Sequence, residues 1–227
     1  MSSLSLTAYK ALARSTTLPQ TDPYPERPEG PLIWGVVHDD TSARALIHLV
    51  ERLRQMRGPC TLLMTYINKA PRFVSSKGTY CFALPVDTSE TAKRFLEHWA
   101  PSLCLWFGGE LRPALIAQAK ANSLCMKLVS AKEDLLDQAI WRWLPSLSRE
   151  TLAAFDTLGA SDSSAYRALR KMDGVRRKVE IQGVLQVAAM PPTVNESVFD
   201  DVSMDLNGRP VWLAAHIQED ELKDVLK

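Results

Sequence analysis

Long hydrophobic runs are missing from this chain: no segment approaches the roughly 18 consecutive apolar residues of a membrane helix. Charge of one sign is missing too. The 27 Lys and Arg stand against 26 Asp and Glu, and the formal net charge of +1 argues against a nucleic-acid footprint or a strongly acidic partner. Cysteine is sparse, with Cys60, Cys81, Cys104 and Cys125 far apart inside apolar runs. No C-x-x-C pair or nearby His supplies metal-ligand spacing, so the four read as buried free thiols of a reducing compartment. G-x-S-x-G, the Walker loop and G-x-G-x-x-G are absent. No metal and no cofactor is expected. The opening "MSSLSLTAYKALARSTT" is too short and too polar for a signal peptide. It does put Leu4, Leu6, Tyr9, Leu12 and Ala13 near one face of a helix, beside Lys10 and Arg14, as a docking helix or a weak foot on a membrane surface.

What is present suits one α/β domain, or one domain and the beginning of another: 227 residues, 46% of them hydrophobic. "TTLPQTDPYPERPEGP" has prolines without a period and reads as an extended lead-in. "LIWGVV" follows as a strand. Ala43, Leu46, Ile47, Val50 and Leu53 then recur at helix spacing until Gly58 and Pro59 stop the helix. "CTLLMTYI" is a second buried strand, and a strand–helix–strand unit of this size favours a parallel crossover.

The pattern repeats. "TYCFALPV" and "SLCLWF" are strands separated by a helix with Ala92, Phe95, Leu96 and Trp99 on one face. The capping-box form of "DTSE" places Asp87 as its N-cap, with Glu90 reaching back. "RPALIAQAKAN" is a helix with Pro113 in its first turn, and "LCMKLVSA" is another strand. Further along, "EDLLDQAIWRWL" reads as a helix, "FDTLGAS" as a short strand, "DSSAYRALRKM" as a helix and "RKVEIQGVL" as the last strand. Continuous apolar strands alternating with helices imply a Rossmann-like, doubly wound parallel sheet covered on both faces.

Open parallel sheets bind ligands beyond the carboxyl ends of their strands. Four polar clusters fall there: "HDDTS", "GGE", "SAK" and "GVLQ". Helix N-termini nearby offer N–H groups to an anion. In this setting Glu110 is either part of a site or an acid that only favours a helix dipole. Of the four His, His48 and His98 lie within helix patterns and read as structural. His38 and His216 end strands and are site candidates.

"GPLIW…TSARALIHLVERLR" resembles the opening of the N-terminal domain of the bacterial Kdo transferases, which add 3-deoxy-D-manno-octulosonic acid (Kdo) to lipid A. "GGELRPALIAQAK" is similar to that family's E-T-E-L-W-P-N-L-I, with Glu110, Leu111 and Pro113 in register. "LPVDTSETAKRFLEHWAPSLCLW" resembles the L-P-Y-D approach to it, and "VEIQGVLQ" resembles V-x-V-T-G-S-L-K. "RPVWLAAHIQEDE" resembles R-P-V-W-I-A-x-S-T-H-E-G-E-E, matching at His216 and Glu219.

The resemblance implies the N-terminal half of a two-domain glycosyltransferase of the GT-B type. Residues 1–30 would be the helix and lead-in, 31–190 the acceptor-side domain, 191–210 a linker, and 211–227 the start of a truncated donor-binding domain. The acceptor would be a lipid A precursor and the donor CMP-Kdo, at the cytoplasmic face of the inner membrane, with no nucleic acid involved. The family's general base is a Glu in S-V-G-E. This chain has "HDDTS" there, and alignment through the strand puts Asp40 at the Glu while alignment through the helix puts Ser42 there. The resemblance makes Asp40 the catalytic candidate, Glu110, Ser130 and Lys132 acceptor-binding candidates, and His216 and Glu219 donor-side candidates. Arg112 replaces the family's Trp, and Gln186 its Lys. A transferase, and a diverged non-catalytic binding domain that keeps its fold, both remain open.

Overall fold

The computed structural model describes residues 4–13, 24–72, 78–108, 110–136, 139–173, 179–185 and 196–209. The chain divides into two compact units, Met1–Val187 and Ala188–Lys227.

The first unit is built on seven parallel strands: β1 (Leu32–Val37), β2 (Thr61–Tyr66), β3 (Thr79–Ala83), β4 (Leu103–Phe107), β5 (Cys125–Ala131), β6 (Thr157–Ala160) and β7 (Val179–Ile181). Their order in the sheet is β3-β2-β1-β4-β5-β6-β7. Gly35 of β1 pairs with Met64 on one side and Leu105 on the other. β1 is buried at every position, as expected of a strand with helices on both faces. Among its inner polar groups, the Trp34 indole N–H donates to Thr65 Oγ1 at 2.9 Å, so neither is left unmatched in the core.

Alternate residues of β1 face different helices. Ile33 and Val37 pack with Leu46 and Val50 of α2 (Asp40–Arg57). Leu32, Trp34 and Val36 face the core shared with Phe95 and Trp99 of α3 (Ser89–Trp99) and with Leu115 and Ile116 of α4 (Pro113–Ala121). The doubly wound, Rossmann-like parallel sheet read from the sequence is therefore present. α1 (Leu4–Ala13) docks against α4, with Leu6 and Tyr9 turned to the core and Leu4 exposed.

Three local readings are corrected. The N-cap of α3 is Thr88, whose hydroxyl takes the Thr91 N–H, while Asp87 is employed elsewhere. "EDLLDQAIWRWL" holds two short helices, α5 (Glu133–Leu136) and α6 (Ile140–Trp143), and not one; they lead into α7 (Pro145–Ala153). Cys125 is exposed; Cys104 is buried, and all four thiols are free.

After β6 comes α8 (Ser163–Asp173). His98 accepts its structural reading, with Nε2 2.9 Å from the Pro25 carbonyl and its ring against Tyr24. In the second unit, α9 (Glu196–Leu206) occupies the stretch read as a linker. No described helix is long and apolar enough to cross a membrane.

Gly35 lets α2 sit close to the sheet. A Cβ there would fall 2.0 Å from Leu46 Cδ2, inside a side chain that is fully buried. Gly35→Ala is expected to destabilise the domain by about 1–3 kcal/mol, as overpacking does. With Leu46→Ala added, the double variant should lose less than the sum of the two single losses in urea unfolding. Additive losses in the double variant would contradict this packing.

Candidate functional site

The strand order reverses at β1. From β1 the chain crosses through α2 to β2 on one side, and it later returns through α3 to β4 on the other. The two crossovers lie on opposite faces, so a crevice opens outside the carboxyl ends of β1 and β4, where α/β sheets of this order hold their ligands.

The four polar clusters converge there. His38, Asp39 and Ser42 follow β1, Gly108 follows β4, Ser130 lies near the end of β5 and Lys132 follows it, and Val184 and Leu185 follow β7; together they line one small cleft. Backbone bonds fix its walls: the Lys132 N–H donates to Gly108 O at 2.9 Å, and the Gly108 N–H to Val129 O at 3.0 Å. Ser130, in a left-handed conformation at φ 48°, sits where the β5–β6 register shifts. Its hydroxyl donates to Gly183 O and accepts from the Leu185 N–H, so it staples the loop after β7 to the cleft.

Asp39 is the electrostatic centre of the cleft. As N-cap of α2 it accepts from the Ser42 N–H and hydroxyl, both at 2.7 Å. Its Oδ2 lies 3.1 Å from His38 Nε2 and 3.7 Å from Lys132 Nζ. Burial pushes the Asp39 carboxyl up, but the two Ser42 bonds, with His38 and Lys132 behind them, carry it below the ordinary value. Asp39 is therefore ionised at neutral pH. Burial pulls the His38 imidazole down from its ordinary 6.5, with Asp39 opposing and Lys132 assisting, so His38 is neutral at pH 7.

Asp40 is not brought together with Ser130 and Lys132. It is the first residue of α2 and turns to Arg72, accepting the Arg72 N–H at 2.9 Å, with the guanidinium Nε at 3.9 Å. Glu110 follows Gly108 on the β4 loop; its Oε1 pairs with the Arg112 guanidinium at 3.0 Å. It is held at φ 47°, the left-handed region that a non-Gly residue rarely adopts and that clusters at functional sites. Gly109, His216, Glu219 and Gln186 lie outside the described residues.

The first turn of α4 is capped by Asp87. The buried Asp87 carboxylate accepts the Ala114 N–H at 3.1 Å, the Leu115 N–H at 2.8 Å and the Tyr9 hydroxyl at 2.7 Å. These are groups that the first turn of a helix leaves unsatisfied. Burial still pushes the Asp87 carboxyl above its ordinary value, against those three bonds and Arg112. Glu110 itself pairs with Arg112, the N-cap residue of α4.

A family model described as 3-deoxy-D-manno-octulosonic-acid transferase (kdotransferase), for the N-terminal part of that glycosyltransferase, matches residues 26–189. The chain belongs to this family. The probable mitochondrial Kdo transferase of Arabidopsis thaliana is 24% identical over 216 residues, covering 88% of this chain and 47% of that protein. The Kdo transferase of Bordetella pertussis is 30% identical over 150 residues, covering 61% of this chain and 32% of that one. The chain thus spans less than half the length of either relative. Among solved structures, S. aureus MnaA with UDP is similar at 15% identity and a TM-score of 0.45, over 74% of this chain and 48% of that one. A UDP-N-acetylglucosamine 2-epimerase is similar at 14% and 0.42, over 66% and 47%.

In this Kdo transferase domain Ser130 and Lys132, both singled out from the sequence, line one cleft with Asp39, which was not singled out, while Asp87 was read only as the cap of α3. The signal for Asp39 was Asp followed three residues later by Ser, ahead of an apolar period, which is the pattern of an N-cap. Asp87 gave no local signal, because its helix begins 26 residues further along the chain. Among the described residues, no group of three or more His, Cys, Asp or Glu is placed to hold a metal.

Two measurements check this electrostatic picture. His38 has a folded midpoint below its unfolded one, so its contribution to stability is present above pH 6.5 and lost as pH falls through the folded midpoint. NMR titration should put that midpoint below 6.5, and Asp39→Asn should lower it further by removing the attracting charge. A parent midpoint above 6.5 would contradict it. Second, Asp87→Asn should destabilise by about 1–3 kcal/mol and Tyr9→Phe by about 1 kcal/mol, as buried hydrogen-bond partners are lost. Glu110→Gln should leave the melting temperature nearly unchanged; a loss matching that of Asp87→Asn would return Glu110 to a structural role.

Proposed function

We propose that this chain is the acceptor-side domain of a Kdo transferase of the GT-B type, receiving a lipid A precursor while CMP-Kdo is held by a donor-binding domain. The observation that carries the reading is the convergence of the loops after β1, β4, β5 and β7 on one cleft at the strand-order reversal, within a chain of the Kdo transferase family. The reaction needs a carboxylate that takes the proton from the acceptor hydroxyl as that oxygen bonds to the anomeric carbon of Kdo and cytidylate leaves. Alignment through β1 gives that role to Asp40, which faces the exposed guanidinium of Arg72, a cation that an acceptor can displace. Position in the cleft favours Asp39, which is ionised but made a weaker base by the Ser42 bonds. Lys132 and Glu110 border the acceptor: Lys132 toward its anionic groups, Glu110 toward its hydroxyls. The cytoplasmic face of the inner membrane is the place where such an acceptor would be met.

A second reading, a binding domain without catalysis, is favoured by one observation. "HDDTS" stands where the family carries its Glu, and a carboxylate misplaced by about 1 Å loses about a hundredfold in rate.

The test is transfer of labelled Kdo from CMP-Kdo to a lipid A precursor by this chain joined to the donor-binding half of a Kdo transferase. Activity is expected, with Asp40→Asn reducing kcat by about 10²–10⁴-fold at an unchanged melting temperature. Loss through Asp39→Asn alone would move the base to Asp39. Acceptor binding without transfer under every condition would establish the second reading. Absence of acceptor binding would overturn both.

A further inference from the structure

The Asp87 carboxylate joins three segments far apart in the chain: its own loop before α3, the first turn of α4, and α1. We infer that α1 is a strap that sets residues 110–112, with Tyr9 and Asp87 as positioning residues that act through α4 and Arg112 on the carboxylate of Glu110.

The link begins at a buried acid. Asp87 is 5% exposed, and a carboxylate so placed needs donors on its oxygens. Two are the Ala114 and Leu115 N–H groups of α4; the third, the Tyr9 hydroxyl at 2.7 Å, comes from α1. Burial and the Asp87 charge push the Tyr9 hydroxyl above its ordinary 10, so it stays a donor at neutral pH. On the other side, Pro113 stands between Ala114 and Arg112 with its φ fixed by the ring, which stiffens the start of α4. Arg112 is the N-cap residue of α4, and its guanidinium holds Glu110 Oε1 at 3.0 Å. The same charge reaches Tyr9 and Asp87, where it opposes the upward push of burial. Leu111, 2% exposed, plugs the segment into the core between Glu110 and Arg112. Glu110 stands at φ 47°, a conformation kept only where its surroundings impose it. A displacement of the first turn of α4 is therefore handed on to Glu110.

α1 is lightly held. Over residues 4–11 no side chain is fully buried: Leu6 and Tyr9 are half-buried against the core, and Leu4, Thr7, Ala8 and Ala11 are exposed. The Ser5 hydroxyl meets that of Ser146 on α7. A helix of 10 residues is marginal in water on its own, so α1 is a helix because it is docked. Elements with so few buried apolar contacts open at a small fraction of the global cost. When α1 leaves, water replaces the Tyr9 hydroxyl on Asp87, and the carboxylate that seats α4 passes from a dry setting to a wet one. Docking of α1 and the order of residues 110–115 thus report one equilibrium. By linkage, whatever binds at Glu110 draws α1 down as strongly as α1 favours that binding. That Glu110 meets an acceptor rests on the function proposed above; the coupling of α1 to residues 110–115 does not.

Amide spectra of the labelled full chain, first without ligand, test this coupling. Tyr9→Phe keeps the ring and removes the hydroxyl; Leu6→Ser loosens the docked face and leaves the Tyr9 hydroxyl in place. Both should move the amides of Glu110, Arg112, Ala114 and Leu115 along one common line. Both should also speed hydrogen exchange at Ala114 and Leu115 several-fold, while the amides of β1 keep their parental rates. Ala8→Gln, on the exposed side of α1, is the control and should leave all of these in place. Residues 110–115 at parental shifts in Tyr9→Phe, with the α1 amides exchanging faster, would overturn the inference, because α1 would then cover surface without setting Glu110. So would displacements in unrelated directions in the two variants. A deacylated lipid A precursor should then bind Tyr9→Phe about fivefold or more weakly than the parent, and its binding should restore protection of the α1 amides. Equal affinity beside displaced amides would refute the positioning role. If the precursor binds neither protein, the acceptor reading fails, while the ligand-free spectra still decide the coupling.

Discussion

Everything at the candidate site depends on the reversal of strand order at β1. A parallel sheet has to send each connection across a face, and the connections on the two sides of β1 take opposite faces. No crossover can then roof the carboxyl ends of β1 and β4. The backbone that emerges there, at His38–Ser42 and at Gly108, borders a gap that the fold cannot close with its own helices. Polar side chains that would be expensive in the core become affordable at this edge. The fold creates the place before any residue is chosen to fill it.

Capping then divides the duties of those residues. Both α2 and α4 begin at the gap, and each presents unsatisfied N–H groups and a positive dipole end. α2 is capped from within its own turn by Asp39 and Ser42. The cap of α4 is remote: Asp87 reaches it from the loop after β3, and Tyr9 of α1 completes the carboxylate's bonds. The division of labour follows from this. Asp39 is drawn toward a structural duty that lowers its basicity, whereas Glu110 stands outside the α4 cap, in a left-handed conformation and paired with Arg112. The N-terminal helix enters the same logic, since its Tyr9 hydroxyl lies on the carboxylate that seats α4.

Much of the fold was legible because its causes are local or periodic. "LIWGVV" and "SLCLWF" are apolar without interruption, as strands covered on both faces are, and the α2 period from Ala43 to Val50 is unambiguous. The strand order was not legible: nothing in β4 itself says that it pairs with β1 and not with β3. Asp87 shows the same limit at the scale of one residue. Read locally, "DTSE" is a capping box; in space the next residue caps α3, and the carboxylate turns to another helix. Cys125 was read as buried from its apolar neighbours, yet it begins β5 at the exposed amino end. The site followed the same division, with strand-end clusters found by position and the partnership of Asp39 with Lys132 visible only once β1 and β5 were placed on either side of β4.

The central claim is that the carboxyl edge at the strand-order reversal receives the acceptor, and amide chemical-shift mapping tests it most directly. A deacylated lipid A precursor titrated into the labelled chain should move the amides of residues 38–42, 108–112, 130–132 and 183–185 together, with one saturation curve. Shifts confined to the opposite edge, around Pro31's neighbours, Cys60, Ser102 and Leu124, would contradict it.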